Sequence, residues 1–321
     1  MQAIGGYFEL ELQKNSGPLY PDLVYLNTGR NAFEYILKVR GYKKVFIPYF
    51  TCDALLEPLQ KLQLEIGYYD VNHHLEASFD FSSLKGDEGI LLTNYFGIKT
   101  AYIHRIVAQY PRNVIVDNAQ ALFSEPQNNV DTFYSPRKFV GIPDGGLLSI
   151  HTPLNEELET DRSDGRFAHL LKRIEGAAEE GYNDFKKNDE QLCHLPIKKM
   201  SKLTMALLES LNFNYVKDKR RANFQMLHHA LKSSNELEIN LEPNDVPMVY
   251  PYRVQYAEQL KQNLFSKRIY CATYWPNVLD WCSPDTNAYQ LTKEIIPLPI
   301  DQRYGPEAIE YIIKAINNNS F

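Results

Sequence analysis

The sequence has few cysteines, and none of them is spaced for a metal site. Among its 321 residues the four cysteines are Cys52, Cys193, Cys271 and Cys282, and no two form a CxxC pair. Cysteines scattered in this way argue against a structural zinc site and against a disulfide framework. They are typical of a protein from a reducing compartment, so we expect a cytoplasmic protein.

Long apolar runs and long basic runs are also missing. No stretch approaches the roughly 18 apolar residues of a membrane span. The N-terminal MQAIGGYFELEL lacks the basic start and apolar run of a secretory signal. The formal net charge is −6, from 34 Lys and Arg against 40 Asp and Glu. Because nonspecific nucleic-acid binding requires a positive surface, we expect a soluble protein that binds neither membranes nor nucleic acid.

The usual nucleotide and metal motifs are absent as well. The sequence contains no GxGxxG and no GxxxxGK[ST], which removes the common dinucleotide and ATP sites. The pairs His73-His74 and His228-His229 are adjacent, so they lack the i, i+4 spacing of a helical metal site. We predict no metal centre.

What the sequence does have is an alternation of apolar runs and helical patterns. Strands are predicted at 45–48, 90–94, 113–117 and 146–151, and helices at 53–62, 101–110 and after Asn27-Thr28-Gly29. Such an alternation predicts an α/β fold with a mostly parallel central sheet covered by helices. In these sheets ligands bind at the carboxyl ends of the strands.

The remainder of the chain predicts helices and then a smaller unit. Residues 155–235 are charged and helical, and the polar segment 233–247 with its two prolines marks a boundary. We therefore divide the chain into a large domain, 1–235, and a small C-terminal α+β domain, 236–321. The predicted elements of the small domain are a strand at 248–254, a helix at 255–266, a strand at 269–274 and a helix at 306–317.

Three pieces of sequence carry candidate chemistry. In VIVDNAQA (114–121), Asp117 ends an apolar strand, where it either caps a turn or serves a ligand. In SPRKFVGIPDGG (135–146), Lys138 is either a solvated lysine or an amine that binds a carbonyl cofactor, and Ser135 stands three residues before it. Gly145-Gly146 permits a tight backbone turn.

The third piece is the helix start at Thr28 and Gly29. Free N–H groups and the positive end of the helix dipole form an anion site there, although most such starts are ordinary caps. Together the three pieces match what pyridoxal 5'-phosphate (PLP) requires, namely an anchored phosphate, a protonated pyridine and an amine for the aldehyde. A carboxylate beside the pyridine nitrogen favours the protonated ring.

On these motifs the chain resembles the DegT/StrS sugar aminotransferases, which are fold-type-I PLP enzymes. The matching segments are NTGRNA (27–32), VFIPYFTCDA (45–54), YYDV (68–71), LLTNYFGI (91–98), VIVDNAQA (114–121), SPRKFVGIPDGG (135–146) and EIIPLPID (294–301). They extend through most of the chain, with 155–235 as the gap.

The resemblance implies a role for each matching residue. Lys138 corresponds to the lysine that binds the cofactor aldehyde and shuttles the proton. Asp117 corresponds to the partner of the pyridine nitrogen, and Gln120 to the residue beside the ring hydroxyl. The cofactor phosphate is expected at a turn formed by Thr28, Gly29 and the backbone of Arg30, with Ser135. The family usually places that serine five residues before the lysine, where this chain has Phe133.

The chain also departs from the family pattern. Cys52 occupies the position of the aromatic residue that stacks on the pyridine ring, and Tyr49, Phe50 and Tyr95 are the alternatives for that contact. The G-x-N-x-R segment, which reaches the partner's site in the family, is not recognisable around 194–202. The chain is shorter than typical members. These departures leave the PLP chemistry in place and make the nucleotide-sugar substrate uncertain.

The resemblance implies a homodimeric aminotransferase that moves an amino group from an amino-acid donor to a keto substrate such as a nucleotide-linked keto-sugar. One alternative is a PLP lyase or dehydratase, although the sugar dehydratases of this family carry His in place of the lysine at 138. The other alternative is a non-catalytic binding protein with the same fold.

Three further features have open interpretations. KDKRR (217–221) is predicted to be a solvated helix face, or else to attract a substrate phosphate. The two tryptophans of TYWPNVLDW (273–281) belong either to the core or to a substrate cleft. Arg253 is either a surface residue or a partner for a substrate carboxylate, which a guanidinium matches with two hydrogen bonds.

Overall fold

The computed structural model describes residues 6–15, 17–110 and 112–318. Within these ranges, no helix combines the length and the apolar character needed to cross a membrane.

Eight strands of the described chain form one sheet. They are β1 (Val24–Leu26), β2 (Lys44–Pro48), β3 (Glu65–Val71), β4 (Ala77–Ser78), β5 (Glu88–Thr93), β6 (Val114–Asp117), β7 (Asp131–Tyr134) and β8 (Gly146–Ser149). Their spatial order is β1-β8-β7-β6-β5-β2-β3-β4. The pairs joining β3, β2, β5, β6 and β7 are parallel, whereas β8 is antiparallel to both β1 and β7, and β4 is antiparallel to β3. The predicted mostly parallel sheet is confirmed.

The helices surround this sheet and continue beyond it. They are α1 (Gly29–Arg40), α2 (Leu56–Lys61), α3 (Thr100–Gln109), α4 (Ala168–Glu175), α5 (Tyr182–Gln191), α6 (Lys202–Ser210), α7 (Phe213–Leu231), α8 (Ala257–Ser266), α9 (Pro276–Trp281), α10 (Asn287–Glu294) and α11 (Pro306–Asn317). The predicted last helix, 306–317, matches the bounds of α11.

Apolar residues cover both faces of the sheet, as a parallel sheet requires. Leu91 and Ile115 pack in the same cluster as Phe33 and Ile36 of α1. Their strand neighbours, such as Val116, belong to the larger cluster on the other face. Because consecutive strand residues face opposite sides, β5 and β6 read as unbroken apolar runs in the sequence.

The strand directions bring five chain segments to one edge of the sheet. Strands β2, β5, β6 and β7 run parallel, and β1 runs with them because both β1 and β7 are antiparallel to β8. Their carboxyl ends therefore lie at the same edge, together with the first residue of β8, Gly146. The candidate site residues lie at the ends of these strands, in the loops that leave them or in the first turn of α1.

The C-terminal part contains a separate two-stranded antiparallel sheet, β9 (Tyr250–Arg253) and β10 (Ile295–Leu298). The predicted strand at 269–274 is wrong, since these residues have no ladder partner. The residue composition there favours a strand, but within the described ranges the small sheet has only the two strands β9 and β10, and these residues do not join either free edge. Tertiary context has overridden local propensity.

We propose the division of the chain near residue 235 on the basis of the two sheets. The larger sheet ends at Ser149, and the smaller sheet begins at Tyr250. Helix α7 lies before the proposed boundary but packs against α11 and β9. This helix therefore joins the two parts through a shared apolar core.

Candidate active site

The sheet edge brings the sequence-predicted residues together. Asp117 is the last residue of β6 and pairs in register with Thr93 of β5 and Phe133 of β7. Ser135 and Lys138 follow directly after β7. Helix α1 begins three residues after β1, at the same edge.

Asp117 is a buried carboxylate with a fixed orientation. Its Oδ1 accepts the backbone N–H of Ala119 at 2.8 Å, so it does form the turn cap that the sequence allowed. Burial raises the pKa of Asp117, while the charge of Lys138 and the Ala119 N–H act in the opposite direction. Asp117 therefore lies within the electrostatic influence of Lys138.

In the described part of the chain, the side-chain amide of Gln120 has a hydrogen-bond partner for its oxygen but none for its nitrogen. Its Oε1 accepts the backbone N–H of Phe96 at 2.8 Å. Phe96 has a left-handed backbone (φ 56°), a conformation that bulky residues rarely adopt. The buried Nε2 of Gln120 has no hydrogen-bond partner in the described part of the chain. A buried unpaired donor is costly, so this amide is suited to a ligand acceptor.

The helix start at Thr28 is capped by its own side chain. The Thr28 hydroxyl oxygen accepts the N–H of Asn31 at 3.0 Å, and the first backbone bond of the helix joins Ala32 N–H to Thr28 O. Thr28 also forms a parallel bridge with Gly145, whose N–H donates to the carbonyl oxygen of Asn27 at 2.7 Å. An anion site at this helix start stays a prediction.

Ser135 lies against this helix start. A Cβ atom on residue 29 would lie 3.3 Å from the Cβ of Ser135 and 3.3 Å from the carbonyl oxygen of Tyr134. The glycine therefore allows the two segments to approach closely. The structure brings the Ser135 hydroxyl to the end of α1.

Arg30 contributes its side chain to the structure around the site. Its guanidinium donates to the carbonyl oxygen of Leu192 at 2.8 Å and pairs with Glu57 at 3.1 Å. These contacts tie α1 to α2 and to the segment after α5. The backbone of Arg30, rather than its side chain, is left for an anion.

Gly146 is needed where β8 passes beneath the helix start. A Cβ on this residue would overlap the carbonyl group of Thr28 and lie 2.7 Å from the backbone nitrogen of Gly29. We expect Gly146→Ala to destabilise the protein by about 3 kcal/mol, at the upper end of typical overpacking costs. Gly141→Ala is the control, since no atom lies within 4 Å of that Cβ. Equal melting temperatures for the two variants in thermal unfolding would contradict this expectation.

Lys138 ends a short 3-10 turn, Pro136–Lys138, and its side chain is exposed. Its charge acts on both Asp117 and Cys52. An exposed lysine in such a position can react with a small molecule that enters the site.

Cys52 lies near Lys138 and is partly buried. Burial raises the pKa of its thiol, and the charge of Lys138 opposes that effect. The thiol donates weakly to Asp53 at 3.5 Å. Cys52 therefore lies near Lys138, but its neutral thiol cannot stack on a pyridine ring as an aromatic side chain would.

The three aromatic alternatives to Cys52 already have protein partners. Phe50 and Tyr95 are buried and pack against each other and against Trp275. Tyr49 stacks on Tyr68 with a centroid separation of 4.9 Å. The sequence interpretation of Trp275 as a core residue agrees with this packing.

Tyr274 is a site neighbour that sequence reasoning missed. Burial raises its pKa to about 12, with smaller contributions from the thiols of Cys271 and Cys52. It comes from the C-terminal part of the chain, and its ring lies 6.1 Å from that of Phe96. Because it is remote in sequence, no local motif indicated it.

A cavity of about 510 Å³ opens beside Lys138. Its lining is strongly cationic, and Asp301 is the one acidic residue among the described residues that line it. The cationic or titratable basic residues of the lining are Arg137, Lys138, His169, Arg173, Arg220 and Arg303. Such a lining favours an anionic ligand.

Arg220 corrects the prediction of a solvated face at 217–221. Its side chain is 2 % exposed, and burial lowers its pKa to about 10. The signal was in the sequence, since Val216, Arg220, Phe224 and Leu227 recur at helical spacing on the buried face of α7. Because the five residues 217–221 are mostly charged, this helical spacing of buried positions was not detected from the sequence.

Arg253 and the histidine pairs are accounted for within the chain. Arg253 Nη2 pairs with Glu294 at 2.7 Å, which joins β9 to the end of α10. His228 stacks on Phe224. In the described ranges no group of three or more His, Cys, Asp or Glu residues is arranged to hold a metal ion.

No protein-family model matches the sequence, and no curated protein matches it significantly. Solved structures do share its fold, among them sugar aminotransferases and a dehydratase. The putative sugar aminotransferase Spr1654 from Streptococcus pneumoniae in its PLP form is 17% identical with a TM-score of 0.65, and the match covers 92% of this chain and 86% of that one. A DegT DnrJ EryC1 StrS aminotransferase from Brucella abortus is 16% identical (TM-score 0.62), covering 92% and 85%.

A further structural relative is the E. coli GDP-4-keto-6-deoxy-D-mannose-3-dehydratase with bound hydrated PLP. It is 14% identical (TM-score 0.61), covering 93% of this chain and 87% of that one. The resemblance predicted from the motifs is thus confirmed at the level of the fold. Identities this low establish a shared fold, and they establish neither the activity nor the substrate of this chain.

Proposed function

We propose that this protein is a PLP-dependent aminotransferase. The observation that carries the proposal is the convergence of Asp117, Gln120, Lys138 and the Thr28 helix start at one edge of the sheet. The structural relatives, which include PLP-bound forms, support the same cofactor.

The unsatisfied groups of this edge fit PLP. The unpaired amide of Gln120 suits the ring hydroxyl, and the buried carboxylate of Asp117 suits a protonated ring nitrogen. The N–H groups of Gly29 and Arg30, with the Ser135 hydroxyl, would hold the phosphate. No positive side chain is needed at that end, since the helix dipole already favours an anion.

PLP, when bound, supplies an aldehyde that bonds to amines and a protonated ring that withdraws electrons from the substrate. The chain's own groups do the rest. Lys138 would supply the amine that bonds to this aldehyde and, once a donor amine has replaced it, would move a proton from the donor's Cα to the carbon that had carried the aldehyde. Asp117 would favour a protonated ring nitrogen, because a carboxylate partner stabilises the charged form.

An absorption titration of the purified full-length chain tests the proposal. We expect PLP to produce a visible band that borohydride reduction removes, with one cofactor retained per chain. Glutamate should then abolish the band of the unreduced protein and release a 2-oxo acid in equal amount. Absence of any band at saturating PLP would rule out both the aminotransferase and the lyase.

The same titration distinguishes the aminotransferase from the lyase. A lyase would show the visible band but would not convert it with any amino-acid donor. The presence of Lys138 favours the aminotransferase, since by resemblance the sugar dehydratases carry His at this position.

For the acceptor we propose an anionic keto compound, of which a nucleotide-linked keto-sugar is the leading case. The cationic cavity beside Lys138 supports an anionic acceptor, and several of the structural relatives are named for sugar substrates. Arg173 forms no ion pair with the described residues, and its guanidinium donates to the carbonyl oxygen of Gly176 at 3.3 Å.

We also propose the homodimer that the resemblance implies. Helix α4 has no buried residue, and its Leu171 and Ile174 are exposed beside Tyr182 and Phe185 of α5. An exposed apolar surface of this kind is typical of protein contacts. Sedimentation velocity should give twice the chain mass of 37.2 kDa, and a monomer at micromolar concentration would contradict the proposal.

A further inference from the structure

The backbone carbonyl next to Lys138 receives hydrogen bonds from two distant side chains. The oxygen of Phe139 accepts Nη2–H of Arg220 at 2.9 Å and Nε2–H of Gln302 at 3.0 Å. Both donors lie far along the chain, one on α7 and one in the loop after β10. Such convergence fixes a peptide plane more firmly than one contact can.

Arg220 is built into this position. Its Nη1 donates to the carbonyl oxygen of Met248 at 2.8 Å, and its guanidinium lies 4.7 Å from the centre of the Phe139 ring. It forms no salt bridge within the described ranges, although a buried arginine ordinarily has a carboxylate partner. Its guanidinium donates to the backbone carbonyls of Met248 and Phe139, so it holds the backbone on both sides in place.

Gln302 is held by the same helix. One turn after Arg220, the buried amide of Asn223 donates to the carbonyl oxygens of Ile300 at 3.1 Å and Tyr304 at 3.1 Å. The loop that carries Gln302 is therefore fastened to α7. Arg220 and Gln302 form one rigid support for the Phe139 carbonyl.

The supported peptide belongs to the turn that presents Lys138. Within this turn the N–H of Phe139 donates to Pro136 O at 2.8 Å, and the N–H of Val140 donates to the same oxygen at 3.1 Å. These short-range bonds leave the carbonyl of Phe139 free for partners outside the turn. The placement of Lys138 depends on this short 3-10 turn, and such short turns have poor hydrogen-bond geometry of their own.

We propose that Arg220 and Gln302 are positioning residues, which orient Lys138 by fixing the Phe139 carbonyl. Helix α7 and the loop after β10 thereby couple the C-terminal part of the chain to the reactive amine. The catalytic consequence of this coupling rests on the proposed function, whereas the support of the turn does not.

Hydrogen exchange of the full-length chain without PLP tests the support directly. We expect the backbone amides that follow Pro136, up to residue 142, to exchange about tenfold faster in Arg220→Met and in Gln302→Met, in line with the loss of about one net hydrogen bond. Arg221→Met is the matched control. Arg221 also donates to two backbone carbonyls, of Asn244 at 2.8 Å and Asp245 at 3.1 Å, but not to Phe139.

The effect on Lys138 is measured with PLP. We expect the visible band to form about fivefold more slowly in Gln302→Met and Arg220→Met, and Arg220→Lys to recover part of the rate because it retains one donor. A purely structural role predicts instead that the rate follows the melting temperature in every variant, Arg221→Met included. Gln302→Met decides the question if Arg220→Met does not fold.

The outcomes separate the two proposals. Unchanged exchange in 136–142 for both variants would overturn the positioning role. Faster exchange with an unchanged rate of band formation would overturn it too, because the turn would then not govern Lys138. If the unmodified protein forms no band with PLP, the proposed function fails, and the exchange data alone decide whether these residues hold the turn.

Discussion

Replacing Lys138 with alanine is expected to abolish the visible band with PLP and to lower the transamination rate at least about 1000-fold. The amine is both the covalent attachment for the aldehyde and the group that moves the proton, and a positioned acid–base group alone contributes about 100- to 10,000-fold. PLP itself should still bind, since Asp117, Gln120 and Ser135 remain. The measurements are the absorption spectrum and single-turnover rates with glutamate.

Two further variants serve as controls for this prediction. Lys138→Arg keeps a positive charge beside Asp117 and Cys52 but cannot bond to the aldehyde, so it should resemble Lys138→Ala in the spectrum. Lys202→Ala removes an exposed lysine at the start of α6 and should leave the band intact. A borohydride-sensitive band that survives in Lys138→Ala would assign the chemistry to another amine.

Replacing Asp117 with asparagine is expected to slow transamination by about 10- to 100-fold while PLP still attaches to Lys138. Hydrogen bonds to charged groups are worth about 1.5–3 kcal/mol, and about 1.4 kcal/mol corresponds to a factor of ten. Asparagine can still accept the Ala119 N–H through its oxygen, but it cannot hold a proton on the ring nitrogen. Single-turnover kinetics after attachment isolates this loss.

The same substitution is expected to change the pH dependence of stability in the protein without PLP. Burial raises the pKa of Asp117 in the folded state, so folding favours the protonated carboxyl. The stability that this preference contributes is present below the ordinary pKa of an aspartate and is lost as the pH rises through the folded-state pKa. Asp117→Asn should remove this loss of stability with rising pH, and it should therefore raise the melting temperature at neutral pH.

Asp144→Asn provides the contrast. This buried carboxylate accepts from Arg166 at 2.7 Å and from the Thr204 hydroxyl at 2.6 Å. Removing its charge leaves a buried arginine with a weaker partner, which destabilises the protein, and the PLP spectrum should not change. If Asp117→Asn instead lowered stability as Asp144→Asn does, Asp117 would be a structural residue and not one reserved for a ligand.

The grouping of Asp117, Gln120, Lys138 and Thr28 at one sheet edge could be predicted, because each residue lies in a short local motif. Asp117 follows a run of buried residues, and Thr28 caps a helix with its own hydroxyl. Parallel strands then bring such strand-end residues to one edge, whatever their separation in sequence. The roles assigned to these residues remain predictions that the spectra and variants test.

The residues that surround this sheet-edge grouping could not be predicted, because they belong to segments that are distant in the sequence. Tyr274 enters from the C-terminal part, and Arg220 lies in a charged pentapeptide that indicated solvent exposure. The strand expected at 269–274 is wrong for a related reason, since composition indicates that a segment could be a strand but not whether it meets one to pair with. Local composition does not reveal which of several suitable partners a segment meets.

By itself, the sequence determined the α/β architecture, the position of the candidate residues at the strand ends and the candidate lysine, Lys138. Each follows from the periodicity of apolar residues and from local turn chemistry. Only the tertiary structure decided that Arg220 and Gln302 converge on Phe139 and that a cationic cavity opens beside Lys138. Those features depend on contacts between residues about 80 and 160 positions apart. Such contacts are selected by the packing of the whole chain, and no local pattern encodes them.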